Sequence, residues 1–427
     1  MAEMKPSGVQ WIGDIPVDWN ISVLGRYVKQ VKNKNTDLLE TNLLSLSYGK
    51  VKRKDISAND GLLPASFDGY NIIEEGDIVL RLTDLQNDHT SLRVGRATER
   101  GIITSAYVTI RPEKYISSEY LYYVLHSFDI VKGFYGMGAG IRQGLTYDGV
   151  QSLKIPSPAM PEQQAIADYL DDRCSKIDEI IAEVTASIEE YKELKQAVIF
   201  EAVTKGLDKN VPMRNTGNLW LPELPVDVPL SRVSLHYTVI LGKMLCPNKR
   251  DDDDSLEPYY CAANVHFDGI SGALKEMWFN TSEKESYSVH KADMLIVEGG
   301  AGAGGAAIVE EEPEQPTFVQ NSIMIVRSKD SEDNRYLCYL VQALVKSKYV
   351  DFVCNKATIP HFTKEKVSGI PYPVCSMEKR REIADYLDEK MSHIDSLISE
   401  KQSLISDLQA YKKSLIYEVV TGKRRVV

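Results

Sequence analysis

Residues 166–204 read IADYLDDRCSKIDEIIAEVTASIEEYKELKQAVIFEAVT, and residues 383–421 read IADYLDEKMSHIDSLISEKQSLISDLQAYKKSLIYEVVT. The two segments align without a gap at an offset of 217 residues, and 17 of their 39 positions are identical. An internal repeat of this length is a stronger indicator of architecture than any short local motif. The sequence therefore predicts a chain made of two related halves.

The repeat continues outside these segments in weaker form. Trp11–Asp18 echoes Trp220–Asp227, and Ile155–Pro158 echoes Ile370–Pro373, so each repeating unit is roughly 210 residues long. The stretch 205–217 also resembles the end of the chain followed by its beginning. We therefore expect a quasi-two-fold ring in which the N- and C-termini lie near one seam.

Each repeated segment is predicted to be one long helix. No proline or glycine falls between Glu162 and Lys205, or between Met377 and Thr421. Apolar residues recur at alternating steps of four and three, as in a coiled-coil seam, and ~45 residues at 1.5 Å each give ~65 Å. So long a helix needs a partner, and the ring arrangement makes an antiparallel pair of these two helices the natural solution. Lys195, Lys401 and Lys412 occupy seam positions, where we expect their amines to extend to solvent.

The segments between the helices are predicted to mix helix and strand. Residues 77–82, 106–111, 293–297 and 322–327 have strand-like patterns, whereas 120–128 and 336–350 are helical in character. The fold class is therefore α+β, with two α/β globular domains that are each followed by a long helix. The predicted boundaries are 1–158 for the first domain, 159–206 for the first helix, 207–375 for the linker and second domain, and 376–427 for the second helix.

Composition restricts the functional classes. The chain of 427 residues carries a net charge of −11, so any nucleic-acid surface must be a local patch. Its six cysteines form no CxxC pair, and no apolar run approaches the ~20 residues of a membrane span. We therefore expect a cytoplasmic protein with reduced thiols and no membrane association.

The motifs of common enzymes are missing from the sequence. The glycine-rich segment 299–305 lacks the lysine and hydroxyl residue of a phosphate-binding loop, and no metal-ligand cluster or methyltransferase signature is present. We interpret this segment as a glycine-rich loop that is closely approached by backbone. The expectation is a protein without a catalytic site, metal or cofactor of its own.

The flanks of the repeated helices resemble a known family. Pro156-Ser-Pro-Ala-Met-Pro-Glu-Gln-Gln-Ala-Ile-Ala-Asp-Tyr-Leu170 and Glu201-Ala-Val-Thr-Lys-Gly-Leu-Asp208 resemble the entry and exit of the conserved helix in specificity subunits of type I restriction–modification systems. The second copy departs at its entry, where it reads Met377-Glu-Lys-Arg-Arg381. The resemblance covers essentially the whole chain.

This resemblance implies a division of labour. Each globular domain would be a target-recognition domain that reads one half of a split, asymmetric site in double-stranded DNA, and the paired helices would fix the spacer between the halves. Two methyltransferase subunits would bring S-adenosylmethionine, and two restriction subunits, if present, would bring ATP and Mg²⁺ chemistry. The alternatives are a coiled-coil adaptor that binds proteins and, less favoured, an enzyme with an unrecognised site.

Candidate DNA contacts follow from the residue types that read base edges or neutralise phosphates. The first domain offers Tyr48, Lys50, Lys52, Arg53, Lys54, Arg81, Thr83, Asn87, Arg93, Arg96, Arg142, Gln143 and Thr146. The second offers Asn264, His266, Asn321, Lys356, Thr358, His361, Thr363 and Lys364. The segments 144–146 and 361–363 occupy matching places in the two halves, so they are the strongest candidate loops.

Overall fold

The structure is a computed structural model that describes residues 3–54, 66–88, 90–137, 144–330, 333–354 and 360–426. The chain divides into two compact units, which are residues Met1–Thr185 with Gln402–Val427, and residues Ala186–Lys401. Each unit therefore contains one end of each long helix. The sequence-based domain boundaries follow the order of the chain instead, and they stay a prediction.

The first unit contains twelve strands and two short α-helices among its described residues. The strands are β1 (Met4–Pro6), β2 (Asp14–Pro16), β3 (Asn20–Val23), β4 (Val28–Gln30), β5 (Leu44–Ser47), β6 (Lys50–Arg53), β7 (Asn71–Ile73), β8 (Ile78–Leu80), β9 (Val94–Arg96), β10 (Gly101–Ile103), β11 (Val108–Pro112) and β12 (Lys154–Ser157). The helices are α1 (Ser118–Ile130) and α2 (Tyr147–Gln151). The long helix α3 (Met160–Lys205) begins in this unit and ends in the second.

The second unit contains thirteen strands and five short α-helices among its described residues. The strands are β13 (Met213–Asn215), β14 (Glu223–Pro225), β15 (Leu230–Arg232), β16 (Tyr237–Leu241), β17 (Ser255–Tyr260), β18 (Val265–His266), β19 (Gly269–Ile270), β20 (Lys275–Phe279), β21 (Met294–Val297), β22 (Ala306–Ile308), β23 (Phe318–Val319), β24 (Ile323–Ser328) and β25 (Pro371–Pro373). The helices are α4 (Val233–His236), α5 (Thr281–Tyr287), α6 (Arg335–Lys346), α7 (Tyr349–Val353) and α8 (Lys364–Ser368), and the long helix α9 (Met377–Val420) follows.

The same central sheet recurs in both units. The first has the antiparallel strand order β4-β11-β8-β9, and the second has β16-β24-β21-β22. A buried aspartate lies just before the second central strand of each sheet and accepts two hydrogen bonds from an arginine. Asp77 receives them from Arg111 at 2.7 Å each, and Asp293 receives them from Arg327 at 2.7 and 2.6 Å. The duplication predicted from the sequence therefore extends to individual side-chain contacts.

The long helices pair in an antiparallel sense in each unit. In the first unit, Asp178 of α3 faces Lys412 of α9 at 2.6 Å, and Glu162 faces Arg425 at 3.0 Å. In the second unit, Lys195 of α3 contacts Asp395 of α9 at 2.7 Å. Residues further along α3 contact residues that come earlier in α9 and the segment after it. This order of contacts is the pattern of an antiparallel helix pair.

The two interhelical ion pairs are copies of one another. The offset of 217 residues places Asp178 on Asp395 and Lys195 on Lys412. The expectation that these lysines extend to solvent is therefore wrong, because each amine reaches a carboxylate on the opposite helix. Lys401 differs again, since its amine lies 5.5 Å from the centre of the Tyr191 ring.

One detail of the sequence-based prediction needs correction, and another is confirmed. The predicted helix over 336–350 is interrupted, because α6 ends at Lys346 and α7 begins at Tyr349. Lys348 between them has φ 65° and ψ 23°, a left-handed conformation that a helix interior does not accept. The expected seam between the termini is present within the first unit, where Arg425 contacts Asp18 at 3.0 Å and the hydroxyl of Tyr417 donates to the carbonyl of Ile12.

Candidate nucleic-acid interface

Two loops run side by side at the same edge of the central sheet in both units. In the first unit, the backbone N–H of Leu145 donates to the carbonyl of Leu82 at 2.9 Å. In the second unit, the N–H of Phe362 donates to the carbonyl of Glu298 at 2.6 Å. The repeat relates these hydrogen bonds, so the segments 144–146 and 361–363 are equivalent in three dimensions. We call 81–88 and 90–93 with 144–146 the first loop pair, and 298–305 with 360–363 the second.

Arg93 holds the first loop pair from inside. Its side chain is fully buried, and its guanidinium donates to the carbonyls of Arg81 at 3.0 Å and Thr83 at 2.9 Å. It also donates to the carbonyls of Asp84 and Asp88 and to the hydroxyl of Tyr135. The prediction of a DNA contact is corrected here, because a buried guanidinium with these acceptors has no access to a ligand. Its role is to fix the loop conformation.

The exposed side chains of the first loop pair are short and polar. Thr83 and Asn87 are exposed, and the amide of Asn87 donates to Asp84 at 2.7 Å. Thr146 is exposed at the residue before α2. Arg81 is half-buried, with its guanidinium 3.8 Å from Asp88. Hydroxyl and amide groups of this kind can donate to and accept from base edges, which suits them to direct readout.

The hairpin β5–β6 carries the predicted basic cluster. Tyr48 and Gly49 form its turn with φ of 48° and 76°, and the Tyr48 side chain is 88% exposed. A turn with φ above zero at both central residues is the usual tight connection of twisted strands, and glycine accepts it without strain. Lys50 and Lys52 are exposed on the following strand.

The cationic side chains of this cluster differ in whether they already form an ion pair within the protein. Arg53 donates to the Glu99 carboxylate at 2.8 and 2.9 Å, and this pairing raises the pKa of Arg53. Lys50 lies 3.9 Å from Asp178, whereas Lys52 and Lys54 have no ion pair among the described residues. Arg96 is paired with Glu119 at 2.7 Å. Lys52 therefore combines exposure with an uncommitted charge.

The second loop pair presents a different set of groups. His361 is exposed, and its Nδ1 lies 3.3 Å from a carboxylate oxygen of Glu298. A Cβ added at Gly299 would lie 3.2 Å from the same His361 nitrogen, so glycine permits this close approach. Thr363 is half-buried at the residue before α8, and Lys364 is exposed. The prediction of a glycine-rich loop that another segment approaches is confirmed.

Three other predicted residues of the second unit are not part of this loop pair. Asn264 is buried, and its amide donates to the carbonyls of Ser271 and Ala273, so the proposed DNA contact is corrected to a structural role. His266 is exposed on β18, with its Nε2 3.1 Å from the Ala263 carbonyl. Asn321 is half-buried and accepts from the Gln320 amide.

Four of the predicted contacts lie outside the described residues, namely Arg142, Gln143, Lys356 and Thr358. Conversely, the sequence analysis missed Glu298 and Lys366. The Lys366 amine donates to the carbonyl of His361 at 2.6 Å and so anchors the second loop pair. Glu298 comes directly after the buried strand β21, and Leu82 occupies the corresponding position after β8 in the first unit. This correspondence between the two repeats is the sequence signal that could have identified Glu298.

The rest of the described chain offers little alternative chemistry. No group of histidine, cysteine and carboxylate side chains capable of holding a metal occurs in the part of the chain that the structure describes. The six cysteines are unpaired, and burial raises the pKa of Cys338 to about 12 and that of Cys174 to about 11. None of the helices described here is both long enough and apolar enough to cross a membrane.

The fold and these loops define a class of protein, namely a duplicated α+β protein with one loop pair per repeat and a shared antiparallel helix pair. A model of the family described as type I restriction modification DNA specificity domain matches residues 27–190 and 247–405. These two matches together cover more than half of the chain. The chain belongs to the type I restriction–modification DNA specificity family.

Individual relatives agree with this assignment. The chain is 21% identical over 405 residues to the type I restriction enzyme MjaVIII specificity subunit of Methanocaldococcus jannaschii, which covers 87% of this chain and 86% of the relative. A chain from a structure on complex assembly and conformational transition of the type I R-M system superposes with a TM-score of 0.72 at 16% identity, covering 96% of this chain and 99% of that one. The HsdS subunit from Thermoanaerobacter tengcongensis gives 0.54 at 15% identity, with 96% and 98% covered.

Proposed function

We propose that each unit reads one half of a two-part site in double-stranded DNA through its loop pair. The observation that carries the proposal is the duplicated backbone hydrogen bond, Leu145 to Leu82 and Phe362 to Glu298, which builds the same loop pair at the same sheet edge in both units. The scaffold is repeated while the exposed groups differ. Two such surfaces suit two different half-sequences, because the donor and acceptor pattern decides which base is read.

The side chains fall into two roles in this proposal. Thr83, Asn87 and Thr146 contact base edges in one half-site, and His361 and Thr363 do so in the other. Lys52 and Lys364 neutralise phosphates, since both are exposed and have no ion pair among the described residues. Phosphate contacts fix the register of the protein on the duplex, and base contacts supply the specificity.

The paired helices serve partner subunits in this proposal. Two methyltransferase subunits bind, one on each of two surfaces related by the repeat, and they supply S-adenosylmethionine and the methylating groups. Restriction subunits, where the host has them, supply ATP-driven cleavage. The specificity chain contributes recognition and no catalytic group. The support is the repeated interhelical ion pair, which marks two equivalent regions of the helix surface.

Salt dependence of DNA binding tests the phosphate role. The complex with co-expressed methyltransferase subunits is titrated onto its methylation site at several salt concentrations. Lys52→Ala should reduce the slope of log K against log salt by about 0.9 per lost contact, without changing base preference. Arg53→Ala is the matched control on the same strand, because Arg53 is already paired with Glu99. An unchanged slope for Lys52→Ala would remove this residue from the interface.

Base readout is tested separately through methylation. Asn87→Ala and Thr146→Ala should relax specificity in one half of the methylated motif, whereas His361→Ala should affect only the other half. Long-read sequencing of host DNA reports both halves at once. A complex that binds no DNA, with its helices and partner binding intact, would favour the adaptor function over DNA recognition.

A further inference from the structure

The second unit contains a cavity of about 610 Å³ that the DNA-reading role does not use. It lies between α6, β22 and the parts of α3 and α9 that belong to this unit, and none of the predicted DNA contacts lines it. Ala307, Gln342 and Met391 form its buried wall, while Asp268 and Glu310 are exposed at its rim. A volume of several hundred Å³ is typical of sites for small organic ligands.

The charges around this cavity are unbalanced. Its three cations are already paired, Lys195 with Asp395 at 2.7 Å, Lys291 with Glu311 at 3.2 Å, and Arg335 with Asp333 and Asp388. Asp268 and Glu310 have no ion pair among the described residues. The surplus of carboxylates favours a cationic ligand at the rim.

The wall of the cavity contains one largely buried amide side chain without a hydrogen-bond partner among the described residues. The Gln342 side chain is only 8% exposed and makes no hydrogen bond within the described part of the chain. The side chain lines the cavity, so the small part of it that is exposed faces the cavity space. A ligand with a hydrogen-bonding atom next to Gln342 would give this amide a partner.

The first unit has aromatic residues at the positions equivalent to Cys338 and Gln342 of the cavity wall. The repeat places Tyr122 at the position of Cys338 and His126 at that of Gln342. The Tyr122 ring stacks on His126 with 5.5 Å between ring centres and an angle of 18°. The first unit therefore has a large aromatic side chain at the position where the second unit has the smaller Cys338, which lines the cavity.

The two units also differ in the charge that a hairpin brings to this region. Lys50 of the β5–β6 hairpin lies 3.9 Å from Asp178, the repeat-mate of Asp395. The hairpin β18–β19 packs on β22, as β5–β6 packs on β9, but its turn contributes Asp268 to the cavity instead of a lysine. The second unit therefore lacks the aromatic ring, and its hairpin presents a carboxylate where that of the first unit presents the exposed Lys50.

We infer that this cavity binds a small aromatic amine. The ring of the ligand takes the place of the Tyr122 ring against Met391 and Ile308, and its ammonium group lies at the rim near Asp268 and Glu310. A donor or acceptor on the ring satisfies the Gln342 amide. Such a ligand would act on the second unit from a site separate from the DNA-reading loops.

Calorimetric titration of the full-length chain with tryptamine tests the inference. Tryptophol is the matched probe, because it keeps the indole ring and replaces the amine with a neutral hydroxyl. We expect saturable binding of tryptamine and binding of tryptophol that is at least about tenfold weaker, equivalent to about 1.4 kcal/mol. Equal affinity for the two probes, or no binding of tryptamine, would overturn the inference.

Variants locate the site. Cys338→Tyr copies the first unit and should abolish tryptamine binding, whereas Cys338→Ser should retain it. The double change Asp268→Asn with Glu310→Gln should weaken binding at least about tenfold. Glu285→Gln, at an exposed carboxylate that does not line the cavity, is the control. If circular dichroism shows that Cys338→Tyr does not fold, the double change decides, and wild-type affinity in it contradicts the proposed site.

Discussion

A guanidinium group can fix a loop as well as it can read a base, and Arg93 does the former. Its donors meet four backbone carbonyls and one hydroxyl, while its own N–H donates to buried Asp129 at 2.7 Å. Burial raises the pKa of Asp129, and hydrogen bonds from Ser91 hold the pKa of Asp88 well below its usual range. The exposed residues of the first loop pair therefore rest on a buried polar network.

Arg93→Ala should destabilise the protein by about 3 kcal/mol, because four partly buried carbonyls lose their donor at once and a buried side chain is removed. Arg81→Ala, at a half-buried neighbour on the same loop, should cost less than about 1 kcal/mol. Urea denaturation of both variants measures the difference. Wild-type stability in Arg93→Ala would show that water replaces the guanidinium without cost.

His126 should make stability depend on pH. Burial, followed by repulsion from Lys412 and Lys413, lowers its pKa to about 4. Below the usual histidine pKa of about 6.5, His126 binds a proton in the unfolded chain but stays neutral in the folded chain. The free energy of unfolding therefore falls as the pH decreases from about 6.5 to about 4. The loss should approach about 3 kcal/mol at the lower limit.

The comparison for this prediction is His126→Gln, which copies Gln342 from the second unit. Denaturation at about pH 7 and about pH 5 should show a smaller pH dependence in this variant than in the wild type. His266→Gln is the control, since His266 is exposed. An identical pH dependence in His126→Gln and wild type would mean that other groups cause it.

Residue roles were the least predictable part of the interface. Arg93 and Lys52 are equally plausible DNA contacts when only the sequence is considered. In the structure, Arg93 is fully buried and Lys52 is exposed. Burial depends on which strands meet, and the sequence alone gives no access to that. The loop positions were predictable because the sequence contains two copies of the same scaffold that can be compared. The hydrogen bonds of Leu145 with Leu82 and of Phe362 with Glu298 occupy equivalent places in the two copies.

At the scale of elements, the long helices follow directly from local sequence. Uninterrupted helix-forming residues and a regular apolar spacing predicted both helices. The helix α3 (Met160–Lys205) matches the predicted range 159–206 to one residue at each end, whereas α9 ends at Val420, seven residues before the predicted end at 427. Ile177 and Ile394 are both buried along the seam, as expected of repeat-mates. The break between α6 and α7 was missed because Lys348 adopts a left-handed conformation that is uncommon for lysine and leaves no sequence signal.

The contribution of the interhelical ion pairs to stability can be measured separately from that of the apolar seam by exchanging the charges of the two partners. Asp178→Lys alone should destabilise by up to about 1 kcal/mol, and adding Lys412→Asp should restore most of the loss, because these side chains are partly exposed. The same cycle at Lys195 and Asp395 should give a similar coupling energy. Strongly unequal couplings in the two cycles would show that the repeated geometry does not imply repeated energetics.

At the scale of the whole molecule, duplication implies that recognition is modular. Replacing residues 20–158 with the corresponding segment of another family member exchanges the first loop pair. It keeps Ile12 and Asp18, which contact Tyr417 of α9 and Arg425, respectively. The methylated motif should change in one half only. Long-read sequencing of host DNA measures this, and a change in both halves would refute independent reading by the two units.

The division of the chain also sets the order in which it can fold on the ribosome. The second unit is continuous from Ala186 to Lys401, whereas the first needs Gln402–Val427 to complete its core. At about 5–20 residues per second, the first unit must wait about 10–40 s after Thr185 is made before its last segment is synthesised. During that interval the apolar face of α3, including Leu170, Cys174 and Ile177, lacks its α9 partner. Nascent chains of this protein should therefore depend on chaperones for their early half more than for their late half.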